Sequence, residues 1–115
     1  MRFNKSYTVS KSAIIGDNVQ IGRNSIIHDN VEIKDDTIIC ENCIIGEPNA
    51  QSYKDDYYIN PKTYIGSNSL IRSGSIIYSG SVFGDYFTTG NMVSIRENSI
   101  FGIHCIVGTF SDIQG

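Results

Sequence analysis

"IIGDNVQIGRNSIIHDNVEIKDDTII", residues 14–39, places an apolar residue at every sixth position: Ile15, Ile21, Ile27, Ile33 and Ile39. The spacing reaches back to Val9 and forward to Ile45, then resumes as Ile65, Ile71, Ile77, Phe83, Thr89, Ile95, Phe101, Val107 and Ile113. Only Thr89 breaks the column. A period of six matches neither an amphipathic helix of about 3.6 residues per turn nor the two-residue repeat of a strand. It predicts short flat strands joined by tight turns and stacked as a solenoid.

Two further columns share the register. Four places after each apolar residue come Ala13, Val19, Ser25, Val31, Thr37 and Cys43, then Ser69, Ser75, Ser81, Phe87, Val93, Ser99, Cys105 and Ser111, most of them small. Three places after it come Asn18, Asn24, Asn30, Asp36, Asn42, Asn68, Gly74, Gly80 and Asn98, types that accept a left-handed backbone at low cost. A corner at every sixth residue follows. Glycine also recurs directly after the apolar residue, as in Gly16, Gly22, Gly66, Gly84 and Gly90.

This pattern resembles the hexapeptide repeat of the left-handed β-helix family, whose units read aliphatic, Gly, two variable residues, then a small one. The resemblance spans residues 9–113 apart from one insertion and implies an all-β fold, a left-handed parallel β-helix of about five triangular coils. Residues 1–115 are then a single β-helix domain. Its end, "FSDIQG" at residues 110–115, opens a new repeat without a cap, so an N-terminal fragment lacking its last coils is expected. Between Ile45 and Ile65 the spacing fails. Residues 46–64, "GEPNAQSYKDDYYINPKTY", hold both prolines and a run of three charged residues, and are expected to form an excursion loop. That loop reads equally well as a tolerated insertion or as a substrate wall.

Composition narrows the function. The chain is 40% hydrophobic and 18% charged with net charge −3, unlike a disordered chain or a cationic nucleic-acid binder. "MRFNKSYTVSK" at residues 1–11 has no apolar signal core, and no segment approaches the roughly 20 apolar residues that cross a bilayer. A cytoplasmic protein with no membrane insertion and no nucleic-acid partner is expected. Cys40, Cys43 and Cys105 are too few for a disulfide framework. In the repeat register Cys43 faces in and Cys40 out, so "CENC" is not expected to bind metal.

The stretches "IRSGSIIYSGSVFGDYFTTGNMVSIRENSIFG", residues 71–102, and "IIGEPN", residues 44–49, resemble hexapeptide acyltransferases that acylate the amines of nucleotide-linked sugars. In that subset the counterpart of "TTGN", residues 88–91, commonly reads Thr-Gly-His, followed by an Ile-Arg-Glu like Ile95, Arg96 and Glu97. The resemblance implies acetyl-CoA or another acyl-CoA as co-substrate, a nucleotide-linked amino sugar as acceptor, and a homotrimer with sites between subunits. It places Asn91 where that subset has its catalytic histidine; beside it Asp85 and His104 are candidates to accept an amine proton, Tyr78, Arg96 and Glu97 to bind substrate, and in the loop Tyr57 could stack on a base or sugar while Asp55 bonds hydroxyls or an ammonium. Gly108 and Thr109 would line the cofactor's pantetheine arm, and no metal is implied, because relatives that bind zinc use three histidines and this chain has His28 and His104 alone. Asn91 departs from the family's histidine. An amide orients groups but takes no proton, which favours attack by an already neutral amine over attack by an alcohol. A sugar O-acetyltransferase and a non-catalytic scaffold subunit are the competing readings.

Overall fold

A computed structural model describes residues 6–114. Its strands run in the order β1 (Thr8–Val9), β2 (Ile14–Ile15), β3 (Gln20–Ile21), β4 (Ile26–Ile27), β5 (Val31–Ile33), β6 (Ile38–Ile39), β7 (Ile44–Glu47), β8 (Thr63–Ile65), β9 (Leu70–Ile71), β10 (Ile76–Tyr78), β11 (Val82–Phe83), β12 (Thr88–Thr89), β13 (Ser94–Ile95), β14 (Ile100–Phe101), β15 (Ile106–Val107) and β16 (Asp112–Ile113). Every third strand stacks on the last. β1, β4, β7, β10, β13 and β16 make the first sheet, β2, β5, β8, β11 and β14 the second, and β3, β6, β9, β12 and β15 the third, with all pairings parallel. The result is the parallel β-solenoid that the six-residue period predicts, 38 Å in its longest dimension.

The apolar column fills the interior. Ile33, Ile39, Ile45, Ile65, Ile71, Ile77, Phe83 and Ile95 are fully buried, each stabilising the fold by roughly 1.5–3 kcal/mol relative to exposure. Phe83, Phe87 and Phe101 pack on one another with ring centroids 4.4–5.3 Å apart. The small column is buried as well, and its hydroxyls bond the backbone of neighbouring coils. Ser25 donates to Cys40 O and accepts from Cys43 N; Ser81 donates to Arg96 O and accepts from Ser99 N.

All nine corner residues expected to tolerate a left-handed backbone have positive φ, from 56° at Asn18 to 86° at Gly80. Tyr86, Met92, His104 and Phe110 hold the same position with φ of 54–63°. The stack thus imposes the conformation even where the side chain does not favour it. Thr89, the polar exception in the inward column, is equally structural. In other coils the residue after the inward one donates its N–H to a carbonyl one coil on, as Lys34 does to Ile65 and Cys40 to Ile71. Arg72 N instead donates to Thr89 Oγ1 at 2.9 Å, so the buried hydroxyl stands in for the ladder carbonyl.

The excursion is shorter than the sequence suggests. β7 continues to Glu47 and β8 begins at Thr63, leaving residues 48–62 outside the coil, with a short 3-10 helix at Ala50–Tyr53 capped by Asn49. Gly46, at φ 80°, is where the strand deforms to release the loop; a side chain there would strike Val31. Among the described residues no helix is long and apolar enough to cross a membrane.

Candidate functional site

Each coil has three corners: the first joins the first sheet to the second, the next joins the second to the third, and the last returns to the first. Residues six apart fall on successive corners. This separates the residues expected to be catalytic. Asp85 and His104 lie at the second corner, Asn91 at the third, and Glu97 at the first, so the expected catalytic group of Asn91, Asp85 and His104 is not one constellation within the chain.

Several of these residues have structural work where they stand. Asp85 Oδ1 accepts from Ser67 N at 2.9 Å, and Thr109 Oγ1 accepts from Asn91 N at 3.2 Å. Asp35 does the same for Asp17 N at 2.8 Å. In all three places the acceptor packs on a glycine of the preceding coil, Gly66, Gly90 or Gly16, where a side chain would collide with it. The recurrent glycine therefore makes room for a staple between coils. His104 is exposed and turns the corner at φ 58°, its ring stacked on Tyr86 at 4.8 Å. Gly108 O accepts from Ser111 N, closing its turn. Cys43 is buried with Sγ 3.2 Å from Arg72 O, and burial pushes its thiol up to about 11. Cys40 faces the outer side with Ile38, Leu70 and Arg72.

The first corner gathers what the other two scatter. There Arg96 Cζ lies 4.1 Å over the ring of Tyr78, and Arg96 Nε donates to Glu97 Oε1 at 3.0 Å. That bond holds Glu97 below the usual carboxylate range and Arg96 above its own. Tyr78, Arg96 and Glu97, expected as substrate-binding residues, are thus one contiguous cluster. The loop emerges at the same corner. Its downstream end is tied to the second sheet by Lys62 Nζ, 2.7 Å from Glu32 Oε1, and this bond, reinforced by Lys34, lowers the Glu32 carboxyl's pKa.

A histidine that sequence reasoning set aside completes the group. His28 Nε2 is 3.1 Å from Glu47 Oε1. An unbroken 18-residue coil would have put Gly46, not Glu47, above His28. The bulge changes this: Ile45 pairs with Ile77, but Glu47, not Gly46, pairs with Tyr78. One extra residue in β7 brings a carboxylate onto the imidazole and across from Tyr78. The only signal in the sequence was Gly46 next to an acidic residue where the period fails.

Asn60 locks the loop down over this corner. Its buried carboxamide donates to Asp29 O at 3.0 Å and Gly46 O at 2.9 Å, and accepts from Tyr58 Oη at 2.8 Å. Asn30 Nδ2 donates to Asn60 O at 3.0 Å. Asp55 and Tyr57, expected to bind substrate, lie elsewhere on the loop: Asp55 Oδ1 accepts from Tyr57 N, and the Tyr57 ring is 90% exposed. The loop residues that wall a cleft at this corner are Tyr58, Ile59 and Asn60 instead.

A three-sheet parallel solenoid with this six-residue repeat is the architecture of hexapeptide-repeat proteins. Residues 12–47 match the family model described as bacterial transferase hexapeptide (six repeats). Over 96% of its length the chain is similar in fold to 49% of a GDP-perosamine N-acetyl transferase from Caulobacter crescentus, solved as a point variant with CoA and GDP-perosamine, at TM-score 0.65 and 19% identity. PerB from Caulobacter crescentus, also solved with CoA and GDP-perosamine, is matched over 97% of this chain and 50% of that one at TM-score 0.47 and 18% identity. The chain spans about half the length of these solved structures. At such identity the likeness establishes the fold. No curated protein sequence matches the chain.

Proposed function

We propose that this β-helix serves an acyl-CoA-dependent acyltransferase that moves an acetyl or similar acyl group onto the amine of a nucleotide-linked amino sugar, in the cytoplasm. The observation that carries the reading is the first corner, where an imidazole-carboxylate pair, an aromatic-guanidinium-carboxylate cluster and a pinned loop converge. The carboxylate on Nε2 favours the tautomer with its proton there, leaving Nδ1 as the acceptor. His28 is the base we assign, with Glu47 orienting it, in place of Asn91.

The acceptor amine, once it has shed its extra proton to water, attacks the thioester carbonyl carbon in its neutral form. The new C–N bond gives a tetrahedral oxyanion, His28 Nδ1 takes the amine's proton, and the C–S bond breaks to release coenzyme A, which recovers that proton at sulfur. Oxyanion stabilisation falls to main-chain N–H groups and Arg96. Gly108 and Thr109, proposed for the pantetheine arm, lie at the third corner, so a neighbouring subunit must bring donor and acceptor together. The outer face of the second sheet supplies a surface for a homotrimer, with Ile14, Tyr64, Val82 and Ile100 in one register, interrupted by Glu32.

Thiol release from acetyl-CoA over a panel of nucleotide-linked amino sugars tests this. His28→Gln should lower kcat by 100-fold or more, roughly the contribution of a general base, while Asn91→His leaves it within a few-fold. Full turnover in His28→Gln refutes the assignment. Turnover only with Asn91→His restores Asn91 as the reacting position, and silence in every case leaves the scaffold reading.

A further inference from the structure

Beside the His28 pair, under the loop, is a cleft of about 350 Å³ lined by Ser12, Asp29, Asn30, Tyr58, Ile59 and Asn60. We infer that this cleft binds the ring of a hydroxylated sugar bearing a protonated amine, with Asp29 as its anionic anchor and Tyr58 as its stacking wall. The inference deepens the acyltransferase reading and rests on it for the class of sugar.

The lining argues for this chemistry. Tyr58 Oη is engaged at both ends of its bonding capacity, donating to Asn60 Oδ1 at 2.8 Å and accepting from Asn49 N at 3.4 Å. Its hydroxyl is thereby spent inside the loop, and the ring is fixed as a wall without rotamer freedom to lose on binding. The apolar side chain of Ile59, 83% exposed, stands at the rim. A rigid aromatic face with an aliphatic rim suits the C–H face of a pyranose ring.

The polar groups suit the other face. A carboxylate offers about four acceptor sites, and the Ser10 hydroxyl takes one at Asp29 Oδ1. Ser12 Oγ accepts from Asn30 N at 2.9 Å and lies 3.3 Å from Ser10 Oγ, whose own proton goes to Asp29, so the Ser12 proton is directed at Ser10 and the lining offers chiefly acceptors. No lysine, arginine or histidine is among the lining residues. An anionic ligand such as phosphate would meet a carboxylate with no counter-charge, whereas ammonium and hydroxyl groups find acceptors. Asn60 bonds Asp29 O and Gly46 O together, so the cleft shares a wall with the bulge that carries Glu47 to His28. An amino sugar seated here lies next in the chain to the proposed base.

The test uses the full chain, 15N-labelled, titrated at slightly acidic pH with D-glucosamine and, separately, with D-glucose. Glucosamine should shift the amides of Ser12, Asp29 and Asn30 and the side-chain amide of Asn60, and bind more tightly than glucose. Asp29→Asn, which keeps shape and the bond from Ser10, should weaken glucosamine about tenfold, the scale of one charge-assisted hydrogen bond, and leave glucose unchanged. Tyr58→Phe keeps the ring but loses the two bonds that fix it, so it should weaken both sugars alike and leave the ratio of their affinities unchanged. Shifts confined to other residues, or an Asp29→Asn variant that binds glucosamine as well as the parent, overturn the inference. Acetyl transfer by the parent with an unaltered KM in Asp29→Asn would remove the cleft while leaving the acyltransferase reading intact. Glucosamine binding in the cleft without turnover of any amino sugar would do the reverse.

Discussion

Removing the Asn60 carboxamide by Asn60→Ala should detach the loop without unfolding the coil. Three hydrogen bonds disappear, to Asp29 O, Gly46 O and Tyr58 Oη, while the backbone bond from Asn30 Nδ2 remains. At about 1 kcal/mol net each, the loop loses roughly 3 kcal/mol of local stability, or about a hundredfold in its open population. The coil beneath should lose far less, because the two carbonyls can hydrate once the loop lifts. Chymotrypsin reads the difference: Tyr53 and Tyr57 are 80% and 90% exposed but sit in a segment held at both ends, and cleavage tracks the open population when closing outpaces the protease. Cleavage should accelerate between ten- and a hundredfold, with the urea midpoint of the fold shifted by less than about 1 kcal/mol in stability. Asn60→Asp sharpens the test. It still accepts from Tyr58 but faces two carbonyls with lone pairs, so it should open the loop at neutral pH and partly restore it as the acid protonates and gains a donor. Cleavage within twofold of the parent, or a global loss as large as the local one, would refute the view of Asn60 as a loop latch.

Three other outcomes are expected. Thr89→Val deletes the hydroxyl that receives Arg72 N, but the ladder carbonyl used in other coils is one small shift away, so chemical denaturation should show a loss of no more than about 1–3 kcal/mol, the range for an orphaned buried donor, and acyl transfer should persist. Cys43, buried and with its thiol near 11, should ignore Ellman's reagent at pH 8 until the chain is unfolded, whereas the half-buried Cys40 and Cys105 react first. Glu97 is held below its ordinary pKa by Arg96, so the pair contributes stability above the unfolded carboxylate value of about 4.3 and loses it as pH falls through the lowered folded value. Glu97→Gln should therefore differ from the parent in denaturation midpoint at pH 7 and converge with it in strong acid; an offset that persists in acid would show that the charge is not what matters.

The fold was legible because it depends on a local period repeated over most of the chain. Each inward isoleucine, each small residue and each Asn or Gly corner states the same geometry, and a solenoid only sums neighbouring coils. Even Thr89, the apparent flaw, obeys the register and is repaired by a hydrogen bond within it. The candidate site was half legible for the same reason. Tyr78, Arg96 and Glu97 share a corner because they lie in regular coils, where counting in eighteens works. Asn91, Asp85 and His104 were grouped on a family resemblance and on side-chain chemistry, yet residues six apart in this fold fall on different corners. Their side chains also answer to the stack first: the carboxylate of Asp85 and the hydroxyl of Thr109 staple adjacent coils over a glycine.

What counting could not reach lies where the count fails. His28 and Glu47 are nineteen positions apart, so a strict coil sets them out of line, and only the bulge at Gly46 closes the gap to 3.1 Å. That bulge is needed to release residues 48–62, and Asn60, at the far end of the excursion, bonds back to the bulge itself. A single insertion thus does three things at one corner: it shifts a carboxylate into register with an imidazole, raises a cleft wall of Tyr58 and Ile59, and clamps that wall to Gly46, the neighbour of the shifted residue. In the regular coils Asp35, Asp85 and Thr109 are committed to holding neighbours, whereas Tyr78, Arg96 and Glu97 contact one another. A solenoid gains side chains free of stacking where its period breaks, and the proposed base pair of His28 and Glu47 lies at such a break.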